Sequence, residues 1–275
     1  MGLFEKKYCS ICGEKIAFLG NKKLADGNLC KNCCSKLSPR FSERKESTVE
    51  QIREQLAYRE ANKQRLISFS PKWTYGLGDE KLYIDTRMKA IVITDQSLTK
   101  DNPDIIDIAD MTGCSYDVRQ SRFEVKYRAA DGRTCSYNPA QYRTDYNFFL
   151  TVTVNHPYFS EIEFKINDDS VSIEPVFSVV NDPNRLIRPA AQGQDADKKT
   201  LIPPTVCATA VDPARNEDYV RMLSLTEGIK EVLLKFKDAA TVVEKPVTAV
   251  TCPHCGAPTI PDANGRCEFC MGAIS

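Results

Sequence analysis

Apolar residues recur every three or four positions in two segments of this chain. The first segment begins with a capping box, Ser47-Thr-Val-Glu50, and its apolar stripe is formed by Val49, Ile52 and Leu56. The second runs from about Asn216 to Lys237, with a stripe formed by Met222, Leu225, Ile229, Val232, Leu233 and Phe236. This spacing is typical of amphipathic helices with one buried face. We predict helices over residues 47–66 and 215–238, each with a docking stripe. For the first helix, docking on the middle domain of the same chain is favoured over docking on an outside partner.

Between these helices, apolar runs alternate with polar residues as in β-strands, and residues 73–185 are predicted to form a β-rich domain. The alternation in Glu161–Ile166 indicates a strand with one buried face. The predicted strands are Leu82–Ile84, Ala90–Ile93, Ile105–Ile108, Cys114–Arg119, Phe123–Arg128, Phe148–Val154, Ile162–Ile166 and Val171–Ile173. Short antiparallel strands at this spacing favour a small barrel or sandwich. Residues 186–214 are rich in Pro, Ala, Gln and Asp and are predicted to be a linker.

Eight of the 12 cysteines stand in Cys-x-x-Cys pairs at the two ends of the chain. The pairs are Cys9/Cys12, Cys30/Cys33, Cys252/Cys255 and Cys267/Cys270. Two such pairs can surround one tetrahedral Zn²⁺, and neither end holds enough apolar residues for a core of its own. We predict two structural zinc ions, one in a module at residues 1–37 and one in a zinc ribbon at residues 250–275. A redox dithiol or a secreted disulfide framework is the alternative, but no apolar signal segment follows Met1.

The residues around the pairs support tight metal-binding knuckles. Gly13, Gly256 and Gly272 follow three of the pairs, where a positive φ is often required. Turns are predicted at Asp26-Gly27 and Asn264-Gly265. Cys34 adjoins Cys33 but lacks the knuckle spacing, and His254 lies inside a knuckle that already has its sulfurs. The remaining cysteines, Cys114, Cys135 and Cys207, stand singly and are predicted to be small buried apolar residues.

Charge is unevenly spread, although the formal net charge is zero. Residues 1–72 carry 15 Lys and Arg against 8 Asp and Glu, whereas residues 73–185 carry 12 against 18. The basic residues are interspersed with acidic ones, so the sequence permits an acidic partner without indicating nucleic acid. No apolar run approaches the length of a membrane span.

A resemblance adds to this interpretation. The run Cys9-Ser-Ile-Cys-Gly13, the pair Cys30/Cys33 and the segment Ser47–Arg59 resemble a family of uncharacterised bacterial proteins with an N-terminal cysteine-rich domain of unknown function. The segments Tyr83–Asp85, Asn102–Asp104 and Asn155–Tyr158 resemble the β-rich region that follows in such proteins. The resemblance implies a cytoplasmic bacterial protein with two zinc sites and a middle domain similar to pleckstrin-homology barrels. It implies no activity.

The sequence shows no arrangement typical of a catalytic site. It has two histidines, His156 and His254, and no nucleophile elbow or phosphate-binding glycine loop. Asp104, Asp107 and Asp110 are spaced every third residue, but carboxylates of this kind are usually solvated. We predict an α+β, multi-module, non-catalytic adaptor protein with an unidentified protein partner. A nucleic-acid-binding zinc-ribbon protein and a membrane-surface, lipid-binding module are the alternatives.

Overall fold

The structure, a computed structural model, describes residues 6–17, 19–129, 132–180, 187–188, 200–201, 205–209, 211–241, 250–260, 262 and 265–274. These residues form three α-helices and several antiparallel sheets, two of which have four strands each. The architecture is therefore mixed α+β, as predicted, but within the described residues no sheet closes into a barrel. The chain divides into two compact units, Met1–Lys237 and Asp238–Ser275.

The first unit begins with a small module and a long helix. The module contains strands β1 (Lys22–Lys23) and β2 (Asn28–Leu29) and helix α1 (Lys31–Cys34), and it is followed by α2 (Val49–Ser68). The cap of α2 is Thr48, whose hydroxyl accepts from the Gln51 backbone N–H while the Gln51 side chain accepts from the Thr48 N–H. The predicted cap at Ser47 is wrong by one residue, because the Ser47 hydroxyl instead donates to the Glu43 carbonyl oxygen at 2.7 Å.

The N-terminal module and the first half of α2 share one hydrophobic core. The buried members of this core are Cys9, Ile16, Leu24, Leu29, Cys30, Cys33, Leu37 and, from α2, Ile52. Gly27 lies so close to α2 that a Cβ at this position would be 2.6 Å from the Val49 side chain. The composition of the module predicted no core of its own, and the core that forms depends on α2.

The first sheet supports the second half of α2. Its strands are β3 (Trp73–Tyr75), β4 (Lys81–Asp85), β5 (Ala90–Thr94) and β6 (Ile105–Asp107), paired in that order. Every residue of β5 is buried, which requires that both faces of this central strand are covered. On one face, Leu66 of α2 packs with Ala90, Val92 and Ile105.

A buried polar joint fixes α2 to the sheet. Arg59 donates to Asp104 at 2.6 Å, and the two side chains are 8% and 2% exposed. The other carboxylate oxygen of Asp104 accepts from the Ser38 hydroxyl at 2.7 Å. Asn62 of α2 donates to the Pro103 carbonyl oxygen and accepts from the Ile105 backbone N–H. One short segment before β6 therefore binds both the connection after the module and the helix.

The second sheet is built on an unusually long hairpin. Its strands are β7 (Met111–Arg128), β8 (Thr134–His156), β9 (Phe159–Lys165) and β10 (Val171–Ile173), and β8 pairs with the other three. The predicted strands Cys114–Arg119 and Phe123–Arg128 are one strand, β7, and β8 starts well before the predicted Phe148. The first part of β8, residues 134–147, was missed because its buried positions, Gln141 and Asp145, are polar, so no apolar alternation marks this segment.

Helix α3 (Glu217–Thr241) packs on the second sheet through the apolar stripe identified in its sequence. Tyr219 contacts the rings of Tyr146 and Phe148 at centroid distances of 4.9 and 5.3 Å. Met222, Ile229 and Leu233 are buried along the same stripe. The docking of both predicted helices thus occurs within the first unit.

The remaining strands are short. They are β11 (Val176–Val179) paired with β14 (Val206–Thr209), β12 (Ile187–Arg188) with β13 (Thr200–Leu201), and, in the second unit, β15 (Val250–Thr251) with β16 (Pro258–Thr259). Most of the predicted linker 186–214 and the turn residue Asn264 lie outside the described residues. Of the helices that the structure describes, none has both the length and the apolar character to cross a membrane.

Candidate metal centres

The four cysteine pairs come together as two clusters of four sulfurs. One consists of Cys9, Cys12, Cys30 and Cys33, and the other of Cys252, Cys255, Cys267 and Cys270. Within each cluster the Sγ atoms all lie within 4.8 Å of one another. The Sγ atoms of Cys12 and Cys30, of Cys252 and Cys270, and of Cys255 and Cys267 are 3.6–3.7 Å apart. Sulfurs about 2.3 Å from a central ion in a tetrahedron are about 3.8 Å apart, whereas a disulfide requires about 2 Å. Each cluster has the dimensions of a metal site.

Three of the four Cys-x-x-Cys segments have the same backbone hydrogen bonds. In each, the carbonyl oxygen of the first cysteine accepts from the N–H four residues on, and its own N–H donates to the carbonyl oxygen five residues on. The first cysteines of these segments are Cys9, Cys252 and Cys267. The fourth segment, Cys30–Cys33, is instead the start of α1, where the Cys30 sulfur accepts from the Cys33 N–H at 3.3 Å. The local backbone conformation therefore places both sulfurs of each pair on the same side of the segment.

The residue after each of the three knuckles adopts a positive φ. Gly13 and Gly256 both have φ 74°, and the equivalent position in the last knuckle is Met271, with φ 60°. The prediction that Gly272 takes this conformation is wrong. Gly272 is needed for another reason, because a Cβ there would lie 2.6 Å from the ring of His254.

That contact connects the two knuckles of the C-terminal ribbon. The His254 ring nitrogen Nε2 is 3.1 Å from the Ala273 carbonyl oxygen, so this ring is engaged with the opposite knuckle and is not part of the sulfur cluster. Thr259 is buried at the end of β16, and its hydroxyl accepts from the Glu268 backbone N–H. Neither contact was predicted, although a histidine and a glycine beside paired cysteines are a signal for such packing.

The N-terminal cluster contains Cys33 and excludes Cys34. Cys33 is buried beside the other three sulfurs, whereas Cys34 is half-buried and packs against the core that the module shares with α2. This difference follows from the helix, because adjacent residues of α1 point about 100° apart and only one can face the cluster.

Electrostatics in both clusters favours a bound cation. Burial raises the pKa of the Cys9 thiol, but backbone N–H groups of Cys12, Cys30 and Ile11 outweigh it and lower this pKa to about 6. Burial and the neighbouring thiols raise the pKa of Cys33 far above its usual value. One thiol therefore ionises readily at the expense of its neighbours, and full ionisation of all four requires a positive charge at their centre.

The same asymmetry occurs in the C-terminal cluster. Burial raises the pKa of the Cys267 thiol, but the backbone N–H groups of Cys270 and Phe269 and the neighbouring thiols lower this pKa to about 6. The Gly272 N–H lowers the pKa of Cys270, but the thiols of Cys255 and Cys252 raise it to about 12. Two clusters of unrelated sequence thus have the same electrostatic character.

Of the other residues considered from the sequence, Asp104 and His156 are linked through the Tyr58 hydroxyl, which donates to an Asp104 carboxylate oxygen at 3.4 Å. Asp104 and Asp107 bind Arg59 and Arg65, and His156 ends β8 with Nε2 at 3.1 Å from the Tyr58 hydroxyl. Among the single cysteines, Cys114 and Cys135 are half-buried and Cys207 is exposed, so the prediction that all three are buried is wrong. Within the described residues, the two sulfur clusters are the only groups of three or more potential metal ligands.

The fold and clusters define an α+β protein of two compact units, each with one tetracysteine site. Residues 7–55, which contain the N-terminal cluster and the start of α2, match the model of a domain of unknown function, DUF4428. This match confirms the N-terminal part of the resemblance drawn from the sequence, and bacterial origin stays a prediction. No curated protein and no solved structure matches the chain.

Proposed function

We propose that each cluster binds one structural Zn²⁺ and that the chain is a non-catalytic adaptor that binds another protein. The observation that carries the first part is the closed set of four sulfurs in each cluster. Four protein ligands complete the tetrahedral coordination of zinc, whereas a catalytic zinc keeps one position for water or substrate. Elemental analysis of the purified chain should give two zinc ions, and thiol reagents should reach the eight cysteines only after chelation.

The C-terminal ribbon is the best candidate for the protein-binding element. Phe269 and Met271 are each 67% exposed, and Ile260 is 49% exposed. In a unit this small, apolar side chains left in water are typical of a contact surface. The ribbon carries Arg266 against Asp262 and Glu268, and a zinc tetrathiolate adds about −2. A net negative ribbon favours a protein partner over the phosphates of nucleic acid.

The basic residues near the N-terminus also give little support to nucleic-acid binding. Arg40 pairs with Glu80 and donates to the Ile93 carbonyl oxygen, and Arg44 donates to the Lys23 carbonyl oxygen. These arginines hold the first unit together, so only part of the basic excess is left for an external anion. Reversing the charge of Arg40 would accordingly change folding as well as binding.

We further infer that the middle region is related in arrangement to pleckstrin-homology domains. The support is the order of its elements: a four-stranded antiparallel meander, a second antiparallel sheet that starts with another meander, and a helix packed on that sheet. The acidic balance of residues 73–185 opposes anionic lipid headgroups, which disfavours the lipid-binding alternative. Eight cysteines kept as metal thiolates are consistent with a reducing compartment such as the cytoplasm.

The test of the adaptor proposal is capture from native extract with the full chain as bait. We expect a bound protein that resists nuclease, that is lost with the F269S/M271S variant and that is retained with the control Ile67→Ser. Ile67 is 77% exposed on α2, so the control removes an exposed apolar side chain elsewhere. A salt-resistant complex with one defined DNA or RNA would contradict the proposal.

A further inference from the structure

Strand β7 is a long edge strand, and on the side away from β8 it pairs with no other strand among the described residues. It pairs with β8 from Met111 to Arg128, and β8 is its only neighbour in the sheet. An unpaired edge of this length presents a row of backbone N–H and C=O groups that can pair with another strand. Residues Arg119–Phe123 are all exposed, and Phe123 is 48% exposed.

The irregularities of the hairpin leave this edge intact. The partner of Val125 is Gln141 and the partner of Lys126 is Ser136, so the extra residues 137–140 lie on β8. On β7 itself, the irregularity lies at the start of the strand, between Met111 and Gly113. The edge therefore runs uninterrupted from Gly113 to Arg128.

The hydrogen bonds of β8 show which β7 backbone groups face outward. Phe148 donates to the Asn167 side chain and accepts from the Ile166 N–H, both at 2.8 Å and both on the side away from β7. Backbone groups alternate in direction along an antiparallel strand, and the pairing from Val118/Phe148 to Phe123/Arg143 is continuous. Phe123 thus bonds to β8, and the N–H and C=O groups of its neighbours Arg122 and Glu124 face the open edge.

We propose that β7 pairs with β7 of a second copy of this chain in an antiparallel, two-fold symmetric arrangement centred on Phe123. In this register Arg122 of each copy lies opposite Glu124 of the other, as a hydrogen-bonded pair on one face of the sheet. Phe123 meets its own symmetry mate as a non-hydrogen-bonded pair, in which side chains approach most closely. The strands overlap over Val118–Arg128, a length of about 35 Å.

The charges of Arg122 and Glu124 favour both a second copy of this chain as the partner and the register centred on Phe123. Arg122 lies over the Tyr142 ring at 4.8 Å and has no ion-pair partner among the described residues. A register centred on Arg122 would place this cation opposite itself, whereas the Phe123 register places it opposite Glu124 of the other copy, twice. Glu124 also pairs with Lys126 of its own copy at 3.4 Å, so each carboxylate would be shared between two cations. Arg119 is already engaged with Glu163 and Asp117 in its own copy, so it is not needed for the contact.

The test is a charge exchange followed by light scattering after size exclusion, over a series up to about 100 µM chain. We expect a dimer for the wild type. Arg122→Glu and Glu124→Arg should each weaken it about tenfold or more, because each creates two like-charge pairs. The R122E/E124R double variant should restore dimerisation, which a fold defect cannot explain. A monomeric wild type, or single variants that dimerise like the wild type, would overturn the proposal. A foreign peptide bound at this edge instead of a second copy would give the first of these results.

Cross-linking checks the register independently. With oxidised glutathione, Phe123→Cys should give a disulfide-linked dimer on a non-reducing gel, because the two Cβ atoms are neighbours across the symmetry axis. Ser121→Cys is the matched control, since Ser121 would face Val125 of the second copy and lie about 13 Å from its own mate along the strand. Equal cross-linking at both positions, or none at position 123, would refute this register.

Discussion

At the scale of single residues, the C-terminal ribbon depends on the contact between His254 and Gly272. The ribbon has few buried side chains, so its two knuckles are held by the sulfurs, by Thr259 and by this ring packed against the glycine. The backbone conformation of Gly272 is one that other residues can adopt, so only the available space selects glycine here.

The contact between His254 and Gly272 predicts that the effects of Gly272→Ala and His254→Ala on stability are not additive. Gly272→Ala should destabilise the zinc-bound ribbon by about 1–3 kcal/mol, because the added methyl collides with the His254 ring. His254→Ala removes the collision, so Gly272→Ala should cost much less in that background than in the wild type. Zinc transfer to a competing chelator measures the effect for each variant. Additive losses in the double variant would show that the glycine is required for its backbone and not for the contact.

At the scale of elements, α2 is the link between the N-terminal module and the first sheet. Its first turns complete the core around Leu24 and Leu29, and its later turns bind Asp104 and pack on β5. The Arg59–Asp104 pair is buried, whereas the Arg65–Asp107 pair, six residues further along α2 and on a different side of the helix, is about 40% exposed. The two pairs therefore allow an Arg–Asp ion pair to be compared in a buried and in a partly exposed environment.

We expect Asp104→Asn to lower the free energy of unfolding by about 3–5 kcal/mol, because it leaves the Arg59 charge buried without a counter-charge. The matched control, Asp107→Asn, should cost less than about 1 kcal/mol, because water solvates Arg65. Urea unfolding followed by circular dichroism gives both values. Similar losses in the two variants would mean that burial does not control the strength of these pairs.

The elements also show what the sequence can and cannot reveal. Both long helices were predicted because their buried faces repeat with the helical period, and the sulfur clusters because knuckle spacing is local. The cap of α2 was misplaced because Ser47/Glu50 and Thr48/Gln51 are both capping boxes in sequence, and only the position of the Glu43 carbonyl selects between them. The first part of β8 was missed because the buried positions there, Gln141 and Asp145, are polar and give no apolar alternation. The conformation of Met271 was missed because the prediction placed the positive φ at Gly272.

At the scale of the whole molecule, the two metal sites differ in what depends on them. The N-terminal cluster lies in a core that includes Ile52 of α2, within a unit that extends to Lys237. The C-terminal cluster lies in a separate compact unit. Loss of an ion bound at the N-terminal cluster should therefore destabilise a large part of the first unit. Loss of an ion bound at the C-terminal cluster should destabilise the second unit alone.

The prediction is that Cys12→Ser removes one zinc ion and raises amide exchange in the N-terminal module and along α2. Cys270→Ser should also remove one zinc ion, but it should leave exchange in α2 and the first sheet at wild-type rates. Hydrogen exchange with mass spectrometry, together with elemental analysis, compares the two directly. Unchanged exchange in α2 of the Cys12→Ser variant would contradict the shared core and support an independent N-terminal module.

The conformation of Met271 has an energetic cost. A left-handed backbone costs a residue with a side chain about 1–2 kcal/mol relative to glycine, and glycine occupies the equivalent position in two other knuckles of this chain. Glycine is therefore the more stable residue at this position, but the last knuckle has methionine there. Such strain persists where the surrounding structure enforces it, and at Met271 it holds a flexible side chain that is 67% exposed, two residues after Phe269.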